Sequence, residues 1–127
     1  MHNESKIRNF TDLNAWKEAH ALVLNVYRLT KSFPREEQFG LVIQLRRAAI
    51  SITSNIAEGF SRTSPKEKAQ FYSMALGSLT EVENQIIIAQ GLGYLTGEAG
   101  SFGEQFIIVN KLINGLIKKT RSWTRPS

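Results

Sequence analysis

The chain has 127 residues, 42% hydrophobic and 21% charged, an ordinary globular balance with enough length to bury a core without staples. It has no cysteine, which excludes disulfides, thiolate zinc sites and a cysteine nucleophile, and no apolar run approaches the ~20 residues of a membrane span. The net charge is +5, and Lys111, Lys118, Lys119, Arg121 and Arg125 all follow Glu104, the last acid, so the excess sits at the C-terminal end.

The opening Met1-His2-Asn3-Glu4-Ser5-Lys6 lacks the apolar core of a signal peptide, so a cytoplasmic location is the expectation. Residues 1–9 read as a flexible arm. A first helix is predicted over 12–31, N-capped by Thr11 or Asp12. Its apolar stripe runs Leu13, Trp16, Ala19, Val23, Val26 and Tyr27 at three- and four-residue spacing. Phe33-Pro34 stops it, because proline cannot continue the ladder and pushes the preceding residue out of the helical region.

A second helix is predicted over 36–59, with Glu36 and Glu37 in the first turn, where the macrodipole favours acids, and Gly59 as the C′ residue. The third, over 65–91, has the clearest start signal: Ser64 as N-cap, Pro65 at the first helical position and Glu67 completing a capping box. Residues 91–103 then hold five of the nine glycines, a helix–helix connection. A fourth helix follows over 99–122, with Phe102, Phe106, Val109, Ile113 and Ile117 inward, and residues 124–127 form a tail. The expected fold is all-α: an antiparallel up-down-up-down four-helix bundle spanning 10–123.

The second helix is too apolar for a monomer. Leu41, Val42, Leu45, Ala48, Ala49, Ile52 and Ile56 fill the core-facing arc. Phe39, Ile43, Ile50 and Ala57 add a strip beside it, for a total of roughly 220° against the ~100° or somewhat more that a surface helix needs. The surplus strip is expected to meet a second copy, so a homo-oligomer is predicted. Arg46 falls within this apolar sector and needs a partner, since an unpaired buried charge is costly. Glu83, beside Leu76, Leu79 and Ile87 on the third helix, is the leading candidate, within a subunit or across an interface. Glu81 is the reserve, and a bound phosphate is the functional alternative. Ala48-Ala49 and Gly77-Ser78 are small enough to let helices approach closely.

Nothing in the chain carries an enzyme's chemistry. His2 and His20 stand alone, and no His/Asp/Glu group has metal spacing. Glu81 and Glu83 lie about 200° apart on a helix and cannot share one ligand. The glycine-rich connection has neither a dinucleotide nor a P-loop pattern, and no serine sits in a nucleophile elbow. A non-enzymatic protein without cofactor or metal is expected.

Phe10-Thr-Asp-Leu13 with Trp16, Phe33-Pro34 with Glu37, and Gly40-Leu41 carry a family resemblance. It continues through Gln44-Leu-Arg46-Arg47-Ala48-Ala49, Asn55-Ile-Ala57-Glu58-Gly59 with Arg62, and Gly77-Ser78-Leu79 with Glu81 and Glu83. From Phe10 to about Ile117 the chain resembles the four-helix-bundle proteins encoded within intervening sequences of bacterial 23S rRNA genes. The resemblance implies a closed pentamer. That family is also similar to the accessory protein of diversity-generating retroelements, a basic pentameric barrel that engages nucleic acid and a reverse transcriptase. Two functions follow as expectations. One is an RNA- or DNA-binding oligomer using Arg62, Lys66, Lys68, Lys118, Lys119, Arg121 and Arg125, with fivefold repetition multiplying weak contacts. The other is a protein-interaction scaffold whose charge serves solubility. Asn55 and Glu58, near Arg62, either bond the turn leading to Ser64 or bind a ligand.

Overall fold

A computed structural model describes residues 7–95 and 99–122. Four helices, α1 (Asn14–Thr30), α2 (Leu41–Ser61), α3 (Pro65–Gly91) and α4 (Ala99–Ser122), pack each against its neighbour in sequence, and α4 closes the ring against α1. This is the expected up-down bundle. Its centre is a column of fully buried side chains, among them Leu22, Val26, Leu45, Ile52, Val82, Phe102, Val109 and Ile113. Between the helices Asn25 links two walls: its Nδ2 donates to Gln105 Oε1 at 2.9 Å while its Oδ1 accepts from Arg28.

The bounds of α3 and α4 fall where the sequence places them, whereas the starts of α1 and α2 do not. Thr11 and Asp12 are not helix caps. They belong to a 3-10 turn, Phe10–Asp12, capped by Asn9, whose Oδ1 accepts from Thr11 N at 3.0 Å. The Asp12 carboxylate reaches back to Arg8 N and Asn9 N at 2.9 and 3.1 Å. Leu13 is extended, so α1 opens only at Asn14. The second helix is likewise preceded by a 3-10 turn, Arg35–Glu37, and interrupted by Gly40, whose φ and ψ of −118° and −106° lie outside the helical region. Glu37 still serves the helix, from outside it: Oε1 accepts from Leu41 N at 3.2 Å. Its Oε2 accepts from Tyr94 Oη at 2.8 Å, tying the chain just after α3 to the turn before α2. That bond is the first cause of the upward shift of the Tyr94 phenol, with burial adding to it.

Two further expectations are corrected. Gly59 is not a C′ residue, because α2 continues to Ser61. It is a contact glycine: a Cβ there would lie 2.6 Å from Tyr72 Cε1 on α3. Ser64 caps α3, accepting from Glu67 N at 3.3 Å, but Glu67 does not return the bond; its carboxylate turns to Arg62, 3.8 Å away. Of the small residues, Ala48 and Ala49 are buried in the core, whereas Gly77 is exposed with nothing within 4 Å of a Cβ. Ile7 packs against the core. Most of the predicted arm and the whole of the tail, with Trp123 and Arg125, lie outside the described residues.

Candidate functional site

The predicted cations divide by what their donors already hold. At the α2–α3 corner Arg62 Nη2 lies 2.7 Å from Glu58 Oε2, and the guanidinium stacks over the Phe71 ring at 4.8 Å. Its Nε is buried without an acceptor. Lys68 reaches back across the same turn and donates to the carbonyls of Gly59 and Phe60 at 3.2 and 2.8 Å. It thereby caps the C-terminal end of α2, where a cation is favoured, and burial pushes its ammonium below the usual lysine range. Both side chains belong to the corner's architecture. Glu58 meets Arg62, the first residue after α2. Asn55 does not: its Nδ2 bonds Ser51 O at 2.9 Å and Ser51 Oγ at 3.1 Å, and Ser51 meets Ser78 Oγ at 2.8 Å across α2 and α3.

Lys66, Lys118 and Lys119 are exposed, and Arg121 stands exposed in the last turn of α4. Arg125 lies outside the described residues. Lys118 ends a groove of about 750 Å³ that runs along α4 past Gly103, Phe106, Ile107, Asn110, Lys111, Asn114 and Gly115, with Glu83 of α3 at its edge.

Glu83 is thus exposed and is not Arg46's partner within the chain. Nor is Glu81, which is exposed and accepts from Gln85 Nε2 at 3.4 Å. The core face of α3 is centred on Ala75, Val82, Ile86 and Ala89, which leaves both glutamates outside it. Arg46 instead folds back over α1. Its Nε donates to Thr30 Oγ1 at 2.9 Å, Nη2 lies 3.4 Å from Tyr27 O, and the guanidinium sits 4.4 Å from the Tyr27 ring centroid. Within the chain a hydroxyl, a carbonyl and an aromatic face hold the half-buried guanidinium where an acid was expected.

The surplus strip of α2 is open in part. Phe39, in the turn before the helix, is 90% exposed and Ile50 is 42% exposed, while Ile43 and Ala57 are half-buried. Apolar exposure extends to the other walls, with Ile87 at 58% and Ile107 at 68%. His20 stacks on Trp16 with centroids 4.7 Å apart. Among the described residues no group of three or more His, Asp or Glu could hold a metal ion, and no helix is long and apolar enough to cross a membrane.

The model of the 23S rRNA-intervening sequence protein family matches residues 11–115. The chain belongs to that family. No curated protein matches it. The family match takes in α1 to α3, the α2–α3 corner and α4 as far as Gly115, and stops before Lys118, Lys119 and Arg121. In this family member the basic end therefore lies past the matched segment. Sequence reasoning misses two features of the matched part. One is the Glu37–Tyr94 bond. The other is a small cleft at the α1–α2 corner, where Lys31 and Arg35 flank Arg46. Their four-residue spacing across Phe33-Pro34 is the signal that could have found the cleft.

Proposed function

We propose that this protein is a non-enzymatic homo-oligomer that buries the outer strip of α2 against a second copy and binds RNA or DNA through its basic α4 end. The supporting observation is apolar exposure: Phe39, Ile50, Ile87 and Ile107 are more open than a solitary bundle needs, on several walls at once. Phe39, Ile43, Ile50 and Ala57 form the interface, with Arg46 at its α1 edge. The pentameric ring is what the family resemblance implies. Such a ring repeats each exposed lysine, so weak phosphate contacts add by avidity.

Light scattering at micromolar concentration tests the assembly. An oligomer that Phe39→Glu with Ile50→Glu dissociates is expected, and a wild-type monomer would sink the proposal. Gel shifts of structured RNA across salt test the ligand. Lys118→Glu with Lys119→Glu should lower the slope of log affinity against log salt by about 2 for each protomer that touches the RNA, since each lysine neutralises one phosphate. A salt-insensitive shift, or none at low salt, rejects this half of the reading.

The α3–α4 groove favours a second reading, a scaffold for a protein partner. Phe106 and Ile107 give it an apolar floor, and Asn110 and Asn114 a polar margin, as a helix-in-groove partner uses. On that reading, partner binding survives both nuclease treatment and charge reversal at Lys118 and Lys119.

A further inference from the structure

We infer that the cleft at the α1–α2 corner is a binding site for a phosphoryl group, held by Arg46, Arg35 and Lys31. The cleft is about 220 Å³, walled by Phe33, Pro34 and Val42 and edged by Gln38. Three cations line it, and none of them ion-pairs with an acid among the described residues. The nearest acid in the turn, Glu37, is turned away: one oxygen holds Leu41 N and the other holds Tyr94 Oη. Glu36 is exposed and does not line the cleft.

Arg46 is the positioned member. Thr30 and Tyr27 use its Nε and one N–H of Nη2, and the Tyr27 ring supports its plane. A guanidinium has five N–H donors, so three remain, in the fork geometry that matches phosphate oxygens. Thr30 is itself anchored, donating to Val26 O at 2.8 Å, so the support is rigid. Arg35 and Lys31 are exposed, lie on either side of the Phe33-Pro34 turn and line the same cleft as Arg46. A phosphoryl group, with several oxygens and up to two negative charges, uses three cations lining one cleft more fully than a single carboxylate does. The cleft has room for such a group. The site is separate from the α4 end, and its fate does not depend on the nucleic-acid reading.

Equilibrium dialysis of the full chain against inorganic phosphate at low ionic strength tests the assignment. One phosphate per chain is expected, with a dissociation constant on the order of 1 mM. Lys31→Glu with Arg35→Glu changes only exposed side chains and should weaken binding at least roughly tenfold, as should Arg46→Gln. Lys118→Glu with Lys119→Glu should leave binding unchanged. Competition by a short single-stranded RNA without terminal phosphates would identify polymer phosphodiester as the source. Displacement only by phosphomonoesters would identify a small ligand. Either result supports a phosphoryl site. Absence of saturable binding overturns it, as does loss of binding on reversing Lys118 and Lys119 alone. Equal competition by acetate would make the cleft a carboxylate site and likewise overturn it. So would binding that appears only when Phe39→Glu and Ile50→Glu dissociate the oligomer, since the second copy would then occupy the cleft.

Discussion

Replacing Gly59 with alanine sets two physical effects against each other. Within a helix, alanine is favoured over glycine by about 1 kcal/mol, so propensity alone predicts stabilisation. The structure predicts the reverse. The new Cβ would stand 2.6 Å from Tyr72 Cε1, 2.8 Å from Cδ1 and 3.2 Å from Cζ. Optimal carbon–carbon separation is about 3.5–4.0 Å, so ring or helix must retreat by roughly 1 Å. Tyr72 is 3% exposed, so neighbouring atoms cover nearly all of its ring. A displacement of that size sits at the upper end of overpacking costs, about 3 kcal/mol. Subtracting the propensity gain leaves a net loss of about 2 kcal/mol, or roughly 6–10 °C in Tm for a domain of this size. Thermal unfolding by circular dichroism measures it. A second variant isolates the cause: Tyr72→Leu removes the ring, so Gly59→Ala in that background should cost much less, with a coupling of at least about 1 kcal/mol. A Gly59→Ala chain as stable as wild type, or a purely additive double variant, would refute the close-approach account and return Gly59 to a simple helix-end role.

Gly77→Ala and Gly115→Ala place Cβ atoms in open space and should each raise stability by about 0.5–1 kcal/mol in thermal melts; a loss at either would mean that another chain presses on that glycine. Lys68→Met keeps the apolar stem but drops the bonds to Gly59 O and Phe60 O, and should cost about 1 kcal/mol in urea unfolding after allowance for partial exposure. Arg62→Gln should lower stability by about 1 kcal/mol by removing the Glu58 pair and the Phe71 stacking, yet leave the salt slope of RNA binding unaltered, whereas a slope reduced by about 1 would make it a phosphate contact. Asp12 is held below the usual carboxylate range, first by Arg8 N and then by Asn9 N. A depressed carboxylate stabilises the fold above its unfolded pKa and loses that contribution as pH falls through its folded value. Amide protection factors at residues 8–13, taken relative to the intrinsic exchange rate at each pH, should therefore fall below about pH 4 in wild type, and Asp12→Asn should remove that fall.

How much of the structure is legible in the sequence depends on the range of the interaction. Ser64-Pro65 signals a helix start through backbone chemistry within a few residues, and α3 begins there. Periodicity finds the core faces of α2 and α4, because burial on one face is a repeating local demand. The starts of α1 and α2 escape it where a 3-10 turn intervenes. Asp12 looks like an N-cap and Glu37 like a first-turn acid, yet each acts from a separate turn, and only the backbone of Leu13 or Gly40 marks the break. Gly59 shows the sharper limit. A glycine just before a turn reads as a cap, and its approach to Tyr72, thirteen positions later, is a tertiary fact. Pairing Arg46 with Glu83 within the chain fails because a charge in an apolar sector need not find an acid of similar register. The hydroxyl of Thr30 and the ring of Tyr27 provide what an acid was expected to provide.

Net charge states how many cations a chain carries, but a ligand meets only donors that the fold has not engaged. Lys68 counts toward the +5, yet its ammonium is bonded to two helix-end carbonyls. Arg62 counts equally, yet it is held by Glu58, Phe71 and, more loosely, Glu67. Freeing either for a phosphate would expose the end of α2 or unpair Glu58, so the gain at the ligand would be offset within the fold. Arg46 differs because its fixed partners are uncharged and occupy only some of its donors, and Lys31 and Arg35 spend none on an acid. An anion at the α1–α2 corner would therefore find open donors without displacing any acid. This is why the corner has the stronger physical claim to a discrete anion, while the exposed lysines at the end of α4 are suited to a diffuse polyanion.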